Sequence, residues 1–95
     1  MQVIIQGDGI NVRDQLKEYI EKELERLERY YDRLMDADVI LEGQLHQKEA
    51  RIKLTLPRET LFASTMSDKF ETSIESAVDK LVEQLKRHKE KLRES

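Results

Sequence analysis

Apolar residues recur at two different spacings along the chain, and the change between them predicts its strands and helices. Residues 2–6 are rich in β-branched side chains and predict a strand, which Gly7-Asp8-Gly9 closes as a turn. From about residue 14 to residue 33 the apolar positions lie three or four apart, as on one face of an amphipathic helix. The positions that set this period are Leu16, Ile20, Leu24, Leu27, Tyr31 and Leu34.

Two half-buried strands are predicted in the middle of the chain. Val39, Leu41 and Leu45 are evenly spaced among polar neighbours, which predicts the first of them. Residues 51–56 alternate apolar with polar side chains and predict the second. Residues 46–49 form the expected connection between the two strands.

A further strand and a second helix complete the chain. Pro57 ends the preceding strand, because proline has no amide hydrogen to donate to a sheet. A short strand is predicted at about residues 61–66, and Ser67-Asp68 opens the last helix. The apolar stripe of this helix consists of Ile74, Ala77, Val78, Leu81, Leu85 and Leu92.

The predicted order, β-α-β-β-β-α, is that of an α+β fold in a single domain spanning residues 1–95. A strand followed by a helical crossover favours a parallel partner strand, and the later strands, joined by short links, favour antiparallel pairing. Because both helices have one apolar stripe, we expect a four-stranded mixed sheet with two helices on one face and the other face open. The aromatic residues Tyr19, Tyr30, Tyr31, Phe62 and Phe70 are expected in the core.

Composition excludes several classes of function. The chain has no cysteine, so it can form neither a disulfide nor a thiolate metal site. No apolar run approaches the roughly 20 residues of a membrane span, and the N-terminus lacks the features of a secretory signal, so we expect a cytoplasmic protein without a membrane partner. His46 and His88 belong to no metal-ligand set, and no catalytic motif is recognisable. We therefore predict a non-enzyme with no metal, no cofactor and no small-molecule substrate.

Charge is concentrated at one end of the last helix. The chain has a net charge of −3, yet residues 86–93 contain five basic residues and one acidic residue. The dipole of a helix favours cations at its carboxyl end, which is the simplest explanation, but one or two cations suffice for it. Such a concentration in an acidic protein indicates an anionic partner.

The first predicted helix separates its charges into two stripes. At about 100° per residue, one stripe is basic and consists of Lys22, Arg26, Arg29 and Arg33. The stripe on the other flank is acidic and consists of Glu18, Glu21, Glu25, Glu28 and Asp32. Ordinary intrahelical pairs, such as Glu18 with Lys22, are the alternative interpretation and are worth only about 0.2–0.5 kcal/mol each.

The second predicted helix has a basic flank of its own. Lys80, Arg87 and Lys91 align along it, with Gln84 beside them. If the helices pack side by side, the two basic sets could face one groove or form a composite surface, since the sequence does not set their relative orientation. A surface of this kind suits the phosphates of double-stranded RNA, which proteins recognise largely through shape and backbone.

Short motifs along nearly the whole chain resemble one protein family. The motifs are Met-Gln-Val-Ile-Ile-Gln-Gly at residues 1–7, Arg-Leu-Glu-Arg-Tyr at 26–30, Asp32-Arg33, Ala63-Ser64, Asp79-Lys80-Leu81, Gln84-Leu85, His88-Lys89 and Lys91-Leu92. In this order they resemble the short bacterial ribosome hibernation-promoting factors, relatives of the ribosome-associated inhibitor protein Y. The family fold is β-α-β-β-β-α and similar to double-stranded-RNA-binding domains, which agrees with the order predicted above.

The resemblance implies a ribosome-binding domain, with a basic helix end at about residues 86–93, that silences translation under stress or in stationary phase. It implies binding to the 30S subunit and its 16S rRNA at the decoding channel, within 70S or 100S particles, where the protein blocks transfer RNA and messenger RNA. The residues assigned to rRNA binding by this resemblance and by the charge pattern are Lys22, Arg26, Arg29, Arg33, Lys80, Gln84, Lys86, Arg87, Lys89 and Lys91.

The chain departs from the family pattern at several positions. Glu23 and Glu83 stand where relatives often have basic residues, and Arg13 stands where a threonine cap is common. These differences could weaken or shift contacts with RNA. Two other functions remain open: a general double-stranded-RNA-binding module, and a protein-interaction module without an RNA role.

Overall fold

The computed structural model describes the backbone of residues 1–94 and the side chains of residues 1–92. Its elements follow the predicted order. They are β1 (Gln2–Asp8), α1 (Asp14–Tyr30), β2 (Asp36–Gln44), β3 (Gln47–Leu56), β4 (Glu59–Ser67) and α2 (Phe70–Glu94). The strands are longer than predicted and α1 is shorter, so Arg33 lies in the loop after α1 and not on the helix.

The four strands form one mixed sheet in the order β1-β2-β3-β4. β1 and β2 are parallel because α1 crosses over between them. β2 and β3 are antiparallel and meet at a tight turn, Leu45-His46, while β3 and β4 are antiparallel and meet at Pro57-Arg58. The predicted α+β sheet and the end of β3 before Pro57 are confirmed.

The apolar stripes of both helices pack on one face of the sheet. The fully buried apolar side chains of the helices are Ile20, Leu24 and Leu27 from α1, and Ile74, Ala77, Val78, Leu81 and Leu85 from α2. On the strands, alternate residues such as Val39, Ile52 and Leu54 face them. Burying each large aliphatic side chain contributes about 1.5–3 kcal/mol, so this layer is the main source of stability.

The other face of the sheet is open. Phe62 lies on it and is 54% exposed, so the prediction that Phe62 is a core residue is wrong. Its neighbours on β4, Leu61 and Ala63, are buried, and alternation along a strand therefore turns Phe62 outward. The tyrosines and Phe70 are half-buried and pack against the core.

The two helices run parallel and side by side. Contacts at successive levels join them, among them Tyr19 with Glu71, Arg26 with Asp79 and, just past the end of α1, Tyr31 with His88. The residue numbers rise together on both helices, so the amino ends meet at one end of the molecule and the carboxyl ends at the other. At about 1.5 Å per residue, α2 is about 37 Å long and runs along most of the 46 Å length of the molecule.

Two residues have left-handed backbone conformations. Gly9, with φ of 72°, adopts this conformation without steric cost because it has no Cβ. Arg58, with φ of 67°, is the one non-glycine residue with positive φ in the part of the chain that the structure describes. Proline followed by a positive φ is the pattern of a type II turn, in which glycine or asparagine is preferred at the position of Arg58. A side chain there costs of order 1–3 kcal/mol.

We expect Leu81→Ala to lower the free energy of unfolding by about 2–5 kcal/mol, because it leaves a cavity in the helix–sheet layer. Leu81 is 0% exposed. Urea unfolding followed by circular dichroism measures the loss. Leu45→Ala is the matched control: it removes the same side chain from a turn where it is 83% exposed, and should change stability by less than about 0.5 kcal/mol. Equal losses of stability at the two positions would contradict the burial of Leu81 between the helices and the sheet.

The ion pair between Arg26 and Asp79 should couple the helices weakly. Their side chains are 35% and 58% exposed, and pairs of this kind contribute about 0.2–1 kcal/mol. A double-mutant cycle with Arg26→Ala and Asp79→Ala, read by urea unfolding, measures the coupling. Arg87→Ala should change stability by less than about 0.5 kcal/mol, since Arg87 is exposed. A coupling energy of zero from this cycle would show that the two side chains do not interact in solution.

Candidate nucleic-acid interface

The side chains predicted to bind RNA fall into two groups, according to whether another residue already holds them. Three are held within the protein: Arg26, Gln84 and Lys89. The others make no ion pair or hydrogen bond with the described side chains: Lys22, Arg29, Arg33, Lys80, Lys86, Arg87 and Lys91. All seven are exposed, so their charges are available to a partner.

Arg26 is fixed between two carboxylates. Its Nη1 lies 3.0 Å from Glu23 Oε1, and its Nη2 lies 2.7 Å from Asp79 Oδ1 on α2. The hydrogen bond that Arg26 donates to Asp79, together with the one that it donates to Glu23, raises the pKa of Arg26 above its usual value. Glu23 thereby offsets part of the charge of Arg26. The main contribution of Arg26 is therefore to helix packing.

Lys89 and Gln84 bind backbone carbonyls. Lys89 Nζ donates to the carbonyl oxygen of Tyr30, the last residue of α1, at 3.2 Å and lies 4.9 Å from the centre of the Tyr30 ring. This carbonyl has no partner within its own helix, so Lys89 satisfies it. Gln84 Nε2 donates to the carbonyl oxygen of Phe62 at 2.8 Å, on the outer side of the edge strand β4. Both contacts hold α2 in position.

The contact of Gln84 with β4 also orients the basic flank of α2. Lys80, Arg87 and Lys91 lie four residues before, three after and seven after Gln84, and they share its side of the helix, which is directed away from α1. Arg26, by contrast, is directed toward α2. The two predicted basic sets thus do not face one groove. The two basic sets instead lie on different sides of α2 and form one composite surface that extends across this helix.

The parallel packing gathers five of the seven unpaired cations at the carboxyl ends of the helices. We call this region the basic end: it consists of Arg29, Arg33, Lys86, Arg87 and Lys91. Arg93, the last cation of the predicted basic segment, lies outside the described side chains. Each helix end has a partial negative charge of about half a unit, which one or two cations offset. More cations are present than the two dipoles require.

Intrahelical pairing does not account for the basic stripe of α1. Neither Glu18 with Lys22 nor Glu25 with Arg29 forms an ion pair, and the one pair within α1 among the described side chains joins Glu23 to Arg26. The acidic stripe and the basic stripe therefore remain separate surfaces. Lys22 and Arg29 are left to interact with solvent or with a partner.

The amino ends of the helices have a different character. Tyr19 donates a hydrogen bond to the carbonyl oxygen of Glu71 at 3.4 Å. Burial raises the pKa of Tyr19, and Glu23, Glu75 and Glu71 raise it further, so its hydroxyl keeps its proton at neutral pH. Residues 68–79 contain four carboxylates and one lysine, whereas residues 80–92 contain five cations and two carboxylates. Charge is thus graded along the helices, from acidic to basic.

The described side chains offer no evident metal site. Residues 1–92 include no group of three or more His, Cys, Asp or Glu side chains that could hold a metal ion. No helix formed by these residues combines the length and the apolar character needed to cross a membrane. One cation that sequence analysis did not single out, Arg58, lines the same surface depression as Arg33.

Comparison with known sequences identifies relatives along the whole chain. The family model described as Sigma 54 modulation protein / S30EA ribosomal protein matches residues 3–93. The ribosome hibernation promoting factor of Pseudomonas putida is 32% identical over 91 residues, which cover 96% of this chain and 89% of the relative. That of Escherichia coli K12 is 28% identical over 94 residues, which cover 99% of both chains. The Bacillus subtilis factor is 32% identical, but this chain spans 50% of its length.

Two solved structures illustrate the similarity of the fold. A ribosomal subunit interface protein from Coxiella burnetii has a TM-score of 0.88 at 26% identity, covering 94% of this chain and 98% of that one. The N-terminal domain of protein Y from Thermus thermophilus has a TM-score of 0.84 at 30% identity, covering 93% and 99%. These structures confirm the predicted fold. Because the family model matches residues 3–93 of this chain, the chain belongs to the Sigma 54 modulation protein / S30EA ribosomal protein family.

Proposed function

We propose that this protein is a ribosome hibernation factor that binds the small ribosomal subunit at its decoding channel and silences translation under stress or in stationary phase. Family membership supports the ribosome-associated hibernation role, since relatives that share the whole chain are named hibernation promoting factors. The observation that carries the finer proposal is the set of unpaired cations at the basic end.

The partner that these cations fit is 16S rRNA of the 30S subunit, within 70S or 100S particles in the cytoplasm. Lysine and arginine side chains contact phosphates and release counterions from the RNA, which favours binding at low salt. Such contacts position a protein on RNA without reading its bases. Selectivity for the subunit then comes from the fixed spacing of Lys22, Arg29 and Arg33 beside the cations of α2.

Inhibition by this protein requires only that it occupy space. Its dimensions are 46 × 21 × 19 Å, and the sheet and two helices share one core, so it enters a channel as a rigid body. A body of this size in the decoding channel excludes transfer RNA and messenger RNA by steric overlap. No catalytic group takes part in this mechanism, and no cofactor or small-molecule substrate is required.

The residues predicted to bind RNA have two different roles in this proposal. The unpaired cations contact phosphates directly. Arg26, Gln84 and Lys89 act as positioning residues, because they hold α2 against α1 and β4. Loss of a positioning residue should lower stability together with affinity, whereas loss of an unpaired cation should lower affinity alone.

Reversing three charges of the basic end should strongly weaken subunit binding. In Lys86→Glu/Arg87→Glu/Lys91→Glu, lost attraction is joined by repulsion, and the slope of log K against log salt should fall by about three units, one for each phosphate contact. Sedimentation with 30S subunits across a salt series measures this. The matched control, Lys17→Glu/Lys53→Glu/Lys69→Glu, reverses three exposed lysines elsewhere and has the same net charge. Equal losses in both variants would mean that net charge, and not the basic end, governs binding.

Binding to the subunit should exceed binding to an arbitrary RNA duplex and should exclude transfer RNA. We expect saturating protein to prevent filter binding of labelled transfer RNA to 30S subunits programmed with messenger RNA. The charge-reversed variant is the control and should leave transfer RNA binding intact. Comparable affinity for an unrelated duplex would favour a general double-stranded-RNA-binding module. Coexistence of protein and transfer RNA on one subunit would refute occlusion.

A protein-interaction module is the second candidate, and the open face of the sheet is the observation in its favour. Ile4, Ile40 and Phe62 border a depression of about 400 Å³ on this face, together with polar side chains. Ile4 and Phe62 are each about half exposed. Ribosome association that survives reversal of the basic end would point to this face instead.

A further inference from the structure

The turn between β3 and β4 reaches the basic end from the sheet. Arg58 of this turn and Arg33 of the loop after α1 line one depression of about 510 Å³. Its other walls are formed by Tyr31, Pro57, Glu59, His88 and Leu92. Three parts of the fold thus meet at one concave surface: the turn, the loop and the carboxyl end of α2.

The two guanidinium groups in this depression have no anionic partner among the described side chains. Glu59 is the one carboxylate in the lining, and it is bound to Nδ1 of His88. His88 is also in contact with the hydroxyl of Tyr31, through Nε2 at 3.4 Å. Glu59 is thus bound to His88 and forms no ion pair with either arginine.

The backbone conformation of Arg58 is unfavourable for folding. Its φ of 67° lies in the region that favours glycine, and proline precedes it in a tight turn. Strained residues of this kind persist where the surroundings hold them and are common at binding sites. An arginine in this conformation is costly for folding. Together with Arg33 in the same depression, it is suited to bind an anion.

We propose that Arg58 and Arg33 together bind a phosphate group of the RNA, so that the sheet supplies a contact in addition to those of the helices. The inference rests on the function proposed above, since the RNA backbone is the source of the phosphate. Guanidinium groups bind phosphate oxygens through paired, charge-assisted hydrogen bonds. The volume of the depression is within the range of about 300–1,000 Å³ typical of ligand sites, and Pro57 and Leu92 offer apolar surface to a ribose.

Arg58→Gly separates binding from folding, because the two effects have opposite signs. Glycine accepts the left-handed backbone, so the melting temperature should rise by about 2–6 °C. Loss of one phosphate contact should reduce the salt slope of 30S binding by about one unit and weaken binding about tenfold near 0.1 M salt. Arg58→Lys keeps the positive charge but lacks the planar guanidinium group. It should therefore weaken 30S binding less than Arg58→Gly does.

Lys17→Ala is the matched control, because it removes one exposed positive charge at the amino end of α1. It should weaken 30S binding by about twofold or less, since distant charges are screened. If Arg58→Gly binds 30S subunits as tightly as the unmodified protein, the inference is overturned while the proposed function stands.

A titration with inorganic phosphate, followed by NMR, distinguishes the two possible sources of phosphate. Backbone amide shifts at Arg33 and Arg58 that disappear in Arg58→Gly support the site itself. If the unmodified protein does not bind 30S subunits, the proposed function fails, and such shifts would then assign the site to a free phosphate or nucleotide. If the unmodified protein shows neither subunit binding nor phosphate shifts, the inference fails as well.

Discussion

The parallel direction of the two helices is the constraint on which the rest of the structure depends. β1 and β2 are parallel, and two antiparallel pairings then carry the chain through β3 to β4, which has the same direction as β1 again. Each helix follows one of these two strands and runs back across the same face, so α1 and α2 point the same way. The partial negative charges of both helix ends therefore fall at one end of the molecule. That end requires cations, and the sequence provides more than it requires.

The surplus of cations is balanced locally at some positions and left open at others. Glu23 and Asp79 neutralise Arg26 in the middle of the helix pair, and Lys89 is bound to the end of α1. These contacts hold the helices together and reduce the repulsion between them. The exposed cations of the basic end have no such partners. The net charge of −3 therefore conceals an uneven distribution of charge, with one strongly positive end. A polarised protein approaches an anionic surface with its positive end first.

Sequence patterns were sufficient for the order of elements, the mixed sheet and the helix faces, because each follows from the spacing of apolar residues. Phe62 was misplaced because its apolar character was given more weight than its position between Leu61 and Ala63, which alternation places on the covered face. Arg33 was assigned to a helix because the apolar period continues to Leu34. The helix instead ends at Tyr30, and Tyr31, with φ of −147°, has an extended backbone.

The tertiary roles of individual side chains were beyond the reach of sequence patterns. Gln84 and Lys89 bind carbonyl oxygens of Phe62 and Tyr30, and a backbone acceptor has no signature in the side-chain sequence. The pairing of Arg26 with Asp79 depends on how α1 and α2 are aligned, which periodicity alone does not determine. Pro57 was predicted only to end a strand, and it is the folded structure that brings the turn at Pro57-Arg58 beside Arg33.

Under the proposed function, the fixed arrangement of the unpaired cations would allow a protein of this size to distinguish one RNA surface from another. Any polyanion attracts these cations, so charge alone gives affinity without selectivity. Cations carried by α1, by α2 and by the β3–β4 turn are, however, fixed relative to one another by a shared core. A regular duplex can satisfy only those cations that lie along one groove. An RNA surface folded around the end of the molecule can satisfy them all, and selectivity then follows from the rigidity of the core.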